Sequence, residues 1–99
     1  MRLPPVARAV VYIRIPTARS LKDKRSVVQS VIGQARSRFA VAIAETNAQD
    51  HHTLAELGIA VVSGQESTAR QVLDDVLRFV EAAAERHGAQ VTGFEVEVI

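Results

Sequence analysis

An α+β two-layer sandwich, with a four-stranded antiparallel sheet and two helices on one face, is the fold this sequence predicts. Three observations predict it. Four stretches carry the β-branched, two-faced pattern of strands, two others repeat apolar residues at helical spacing, and they follow in the order strand, helix, strand, strand, helix, strand. That order is the split-βαβ or ferredoxin-like plan. Right-handed crossovers place the first and third strands in the centre and both helices on one side, leaving the other face of the sheet bare. Ninety-nine residues, 47% of them hydrophobic, suffice for one domain spanning 1–99 around one core.

Each element has its own signal. The run from Ala9 to Ile15 is rich in β-branched residues and is closed by Pro16. Its alternation sets Ala9, Val11, Ile13 and Ile15 on one face and Val10, Tyr12 and Arg14 on the other. Ser20 reads as an N-cap with Asp23 three residues on, a variant of the capping box, and opens a helix to about Phe39. Its apolar stripe is Leu21, Val28, Val31, Ile32, Ala35 and Phe39, and Gly33 inside it is read as a mark of close packing. A second strand spans 40–46, with Val41 and Ile43 on one face, and residues 47–52 form a polar turn. The third strand, 54–63, is apolar on both faces, as suits a central strand. Ser63 and Glu66 form the capping-box pattern of a second helix, which runs to about Arg86 and ends at Gly88. Its inner stripe includes Val72, Leu73, Val76, Leu77, Val80, Ala83 and Ala84. The last strand, 90–99, alternates Phe94, Val96 and Val98 inward with Glu95 and Glu97 outward, with a bulge expected at Gly93.

Composition excludes several kinds of chemistry. There is no cysteine, hence no disulfide, thiolate metal site or cysteine nucleophile. The apolar stretch from Ala9 to Ile15 is interrupted by Arg14 and is too short to span a bilayer, and no cleavage site follows it. A cytoplasmic protein with no membrane partner is expected. No phosphate-cradling glycine loop, nucleophile elbow or zinc motif is present, so no enzyme activity, catalytic residue, cofactor or metal is assigned. Asp50, His51 and His52 lack a third ligand at a matching spacing, and His87, just before Gly88, suits a helix C-terminus.

The net charge of +1 hides a division. Residues 1–38 hold nine basic residues and one acid, whereas 39–99 hold three basic residues and ten acids. The two halves either pair helix against helix or leave a basic face for an anion, and both readings stand at this point.

The segment Ile13-x-Ile15-Pro16-x-Ala18-Arg19-Ser20-Leu21-Lys22-Asp23-Lys24-Arg25 resembles the opening of the YlxP-like family of small bacterial proteins. Ala44-Glu45, Gln49-Asp50, Leu57-Gly58-x-Ala60-Val61-Val62-Ser63 and Val76-Leu77-Arg78-Phe79-Val80-Glu81 are similar to it as well. The turn departs from some relatives, which carry an aromatic residue near His52. The resemblance implies a ferredoxin-like fold and no reaction, the family being a domain of unknown function. Its genes often lie beside those for translation initiation and ribosome maturation, which implies RNA or the ribosome as a partner.

The candidate anion-binding residues are Arg19, Ser20, Lys22, Lys24, Arg25 and Arg36. Ser20 and the first-turn amides, at the positive end of the helix dipole, are expected to fix one phosphate. Lys22, Arg25, Gln29 and Arg36 share one side of the helix, within about 60° of each other at 100° per residue. Lys24 projects near the apolar face. Its stem is expected to pack and its ammonium to be tethered to a carboxylate, holding the patch in shape with Asp23. The bare sheet face offers only Tyr12 for base stacking, while Glu95 and Glu97 repel phosphate and suit pairing with Arg8 or Arg14. That face is expected to bury against another copy. The function expected is an accessory factor contacting RNA phosphates electrostatically. The alternative is a homodimeric or small-ligand regulatory module with no nucleic-acid role.

Overall fold

Period two does in the first strand what burial requires. In β1 (Val6–Arg14), Ala7, Ala9, Val11 and Ile13 are buried while Arg8 and Arg14 stand in solvent. The strand starts three residues before its expected first residue. This structure, a computed structural model, describes residues 2–99. After β1 come α1 (Leu21–Arg38), β2 (Ala42–Asn47), β3 (Leu54–Val62), α2 (Glu66–Arg86) and β4 (Gln90–Val98). The sheet order is β2-β3-β1-β4 with every neighbour antiparallel, and the architecture is the ferredoxin-like one expected. Both helices lie against one face, over a core that includes Val11, Leu57, Leu73, Val76 and Val80. No helix among the described residues is long and apolar enough to cross a membrane.

The helix ends follow from short-range hydrogen bonding. Ser20 is the N-cap of α1, its Oγ accepting the Asp23 N–H at 3.1 Å. At the far end of α2, Gly88 adopts a left-handed φ of 73°. Gly88 N–H donates to the Glu85 carbonyl and Ala89 N–H to the Ala84 carbonyl, the two bonds of a Schellman turn. The helices cross where Arg86 Nη2 donates to Gln34 Oε1 (3.1 Å), His87 Nε2 meets Ser30 Oγ (3.0 Å), and Phe39 packs edge-on against Phe79. Arg38 lies over the Phe79 ring at 5.2 Å.

Three local expectations are corrected. The Ser63–Glu66 box does not form: α2 begins at Glu66 after Gln65, with no side-chain cap, and Ser63 Oγ accepts the Gln65 N–H instead. Gly33 marks no close approach, since a Cβ there would meet nothing within 4 Å. Phe94 lies opposite the buried Val11, on the helix side of the sheet, yet it stays 55% exposed because β4 is an edge strand. The irregularity expected at Gly93 is present as a register shift: Tyr12 pairs with Gly93 and Ile13 with Val91.

Candidate nucleic-acid interface

The N-terminus of α1 is closed by a cap in which Ser20 and Asp23 both take part. The Asp23 carboxylate accepts the Arg19 backbone N–H at 2.9 Å, while Ser20 Oγ takes the Asp23 amide. The carboxylate therefore supplies the negative charge that the helix dipole favours, at the place where a phosphate was expected. Ser20 is the helix cap expected of it, with its Oγ engaged by the Asp23 amide.

Lys24, grouped with the anion-binding candidates, is packed and tethered as expected. It falls on the same side of α1 as Val28, Val31 and Ala35, and its side chain is only 1% exposed. Its Nζ lies 2.8 Å from Glu45 Oε2 and donates to the Ala48 carbonyl. Glu45 shares the inward parity of Ile43 on β2, so its carboxylate is delivered beneath α1. Oε2 is buried without a well-directed hydrogen-bond donor and rests on the ammonium charge. The expected tether to a carboxylate is thus present, but it removes Lys24 from any surface a phosphate reaches.

The same tether shapes the β2–β3 turn. Ala48 holds a left-handed φ of 61°, which costs an L-residue roughly 1 kcal/mol or more. Asn47 Oδ1 accepts the Ala48 N–H (2.9 Å), and the Ala48 carbonyl accepts both the His51 N–H (3.0 Å) and the Lys24 ammonium. Asp50, His51 and His52 stand exposed on this turn.

Arg36 reaches away from the helix surface and donates from Nη2 to the Ile43 carbonyl at 2.7 Å. Because β2 is an edge strand, this bond covers one of its outward-facing carbonyls. Arg36 is therefore separated from the other candidates and borders the bare face of the sheet.

Arg19, Lys22 and Arg25 remain together. All three are exposed, and among the described residues their side chains make no ion pair or hydrogen bond with the protein. The acids of α2 do not answer them. Asp74 pairs with Arg70 and Asp75 with Arg78, both inside α2, and the bonds between the helices join residues 30–39 to 79–87. Arg14, exposed at the end of β1, is likewise unpaired; sequence reasoning considered it only as a partner for Glu95 or Glu97. Of those pairings the structure forms Arg8–Glu97, with Tyr12 taking Glu95.

A two-layer sandwich with a self-capped first helix and a free basic turn is the class of protein this geometry defines. The model of the family described as "Protein of unknown function (DUF503)" matches residues 6–93, and the chain belongs to that family. It is similar to the uncharacterized protein YlxP of Bacillus subtilis (strain 168), 34% identical over 68 residues that cover 69% of this chain and 74% of the relative. Solved structures share the fold at low identity. The Bacillus subtilis YxeP protein, a dinuclear metal binding peptidase from the M20 family, superposes with a TM-score of 0.62 at 17% identity, over 97% of this chain. The match spans only 26% of that peptidase. A C-terminal segment of the aIF2 alpha subunit from Pyrococcus abyssi gives 0.55 at 13% identity, covering 100% of this chain and 52% of that one. A de novo designed protein with ferredoxin fold gives 0.53 at 17%, covering 98% and 84%.

Proposed function

We propose that this protein is an RNA-associated accessory factor that docks phosphates on the first turn of α1 through Arg19, Lys22 and Arg25. The observation that carries this reading is that these three cations have no partner within the described fold, although the chain holds ten acids after residue 38. Charge pairing between the helices, the competing account of the charge division, has no ion pair to support it. Cations at i and i+3 on a helix present their charges on one side, where successive phosphates of a backbone can meet them without base readout. RNA is favoured over other polyanions by the gene neighbourhood that the family resemblance implies.

Fluorescence anisotropy of a short labelled single-stranded RNA, titrated across a salt series, tests the proposal. Three phosphate contacts give a log–log slope of about −2. Lys22→Glu with Arg25→Glu should reduce that slope and weaken binding to all RNA sequences alike. Flat anisotropy at low salt, or binding unchanged by the double reversal, overturns it.

A further inference from the structure

Over part of its length the bare face of the sheet is divided between its strands by side-chain size. Over its middle, β2 and β3 carry the small Ala42, Ala44, Gly58 and Ala60, whereas toward one end the same strands carry Thr46, Leu54 and Glu56, with the Thr46 methyl close to Gly58. On β1 and β4 it carries the longer Arg8, Val10, Tyr12, Glu95 and Glu97. The small half lies lower, so the face forms a trough of about 800 Å³. Arg36 borders it beyond β2, and Glu95 and Glu97 border it on β4, the opposite edge. One end of the face adds an apolar row in which Val62 and Ile99 flank Val6, themselves 64% and 60% exposed.

We infer that this face binds a second copy of the chain, through a two-fold axis running parallel to the strands. Such an axis reverses the strand order of one copy over the other and keeps each residue at its own level along the strands. It lays β2 over β4 of the second copy and β3 over β1. Over the middle of the face small residues then receive large ones: Ala60 opposes Arg8, and Ala42 and Ala44 oppose Glu97 and Glu95, while toward the other end Glu56 opposes Tyr12. Arg36, anchored at Ile43, comes level with Glu95 and Glu97 of the second copy, and symmetry makes this contact twice. Glu95 Oε1 and Glu97 Oε2 are free to accept, because Tyr12 and Arg8 bond the other oxygen of each. A two-fold axis across the strands would instead set small against small and Glu95 against Glu95. The first arrangement matches small residues to large over Ala42, Ala44 and Ala60 and brings Arg36 to Glu95 and Glu97, and the second does neither.

Four strands at about 4.8 Å spacing and some 27 Å of length give on the order of 1,000 Å² of total buried surface. That is the low end for a specific interface, so the pair is reversible. The pairing does not rest on the RNA reading, since the N-terminal end of α1 with Arg19, Lys22 and Arg25 lies on the opposite layer and stays free in either case.

Sedimentation velocity of the full chain, from about 1 to about 500 µM, tests it. The wild-type protein should shift from monomer toward dimer across that range. Arg36→Glu alone and Glu95→Arg alone should each weaken the dimer about tenfold or more. Mixed in equal amounts, the two variants should dimerise again, because each then presents the charge the other lacks. Recovery on mixing also shows that both variants fold. A wild-type chain that stays monomeric throughout overturns the inference. So does a dimer that is indifferent to both substitutions, as expected for pairing through a strand edge, or one that mixing does not restore.

Discussion

Lys24 Nζ lies 2.8 Å from Glu45 Oε2, so the first helix and the second strand are joined by an ion pair whose cation is only 1% exposed. A pair of this kind is worth little against an apolar replacement, but each half depends strongly on the other. Lys24→Met leaves Glu45 half-buried without its counter-charge and releases the Ala48 carbonyl from the ammonium that holds the turn. The expected cost is about 3 kcal/mol, read as a lower urea midpoint. Lys24→Met combined with Glu45→Leu should recover most of it. Equal losses in the single and double variants would show that the ammonium acts on Ala48 alone.

Much of this arrangement was legible from residue order. Lys24 falls four residues before Val28 and seven before Val31, so its place on the inward side of the helix follows from periodicity alone. Its partner was missed, although Glu45 two residues after the inward-facing Ile43 was the available signal. Strand order and the bare face followed from the βαββαβ succession, because handedness leaves few alternatives. Arg36 could not be read the same way. Its angular position groups it with Lys22 and Arg25, but a long guanidinium goes to an unpaired carbonyl, and only the packed structure brings Ile43 to that spot. Ser20 was read rightly as a cap, and the Asp23 that completes the cap also places a carboxylate beside the first-turn amides.

Two glycines in regular elements should respond to alanine with opposite signs. Gly33 sits inside α1 with open space where a Cβ would stand, so Gly33→Ala should stabilise by about 0.5–1 kcal/mol through helix propensity. A Cβ on Gly58 would stand 2.5 Å from Thr46 Cγ2. That methyl cannot swing away freely, because Thr46 is β-branched and its Oγ1 is bonded to Glu56 Oε2 at 2.9 Å. Gly58→Ala should therefore destabilise by about 1–2 kcal/mol. Thr46→Ser removes the methyl and keeps the hydroxyl, so adding it to Gly58→Ala should restore stability. Thermal melts resolve both signs, since 1 kcal/mol moves the midpoint by roughly 4–8 °C in a domain of this size. A stabilising Gly58→Ala would mean that β2 shifts away at little cost.

The Tyr12 hydroxyl donates to Glu95 Oε2 at 2.6 Å on the bare sheet face. That bond requires the protonated phenol; partial desolvation and the negative charges of Glu95 and Glu56 act in the same direction, so the phenol titrates above its ordinary 10.0. The chain has one tyrosine and no tryptophan, so tyrosinate absorbance reports this group alone. The folded-state value lies above the unfolded one, so the native chain holds the proton longer. The stabilisation is complete below pH 10 and is lost as pH rises through the folded-state value. Glu95→Gln removes the charge and the strongest acceptor, and should bring the titration midpoint back toward 10.0. Tyr12→Phe should abolish this part of the alkaline loss of stability. A wild-type midpoint at the ordinary value would place the phenol in water and separate Tyr12 from Glu95. The mobile, unpaired Glu95 carboxylate that this implies would also make a poorer partner for Arg36 of a second copy, so the titration bears on the interface as well as on the phenol.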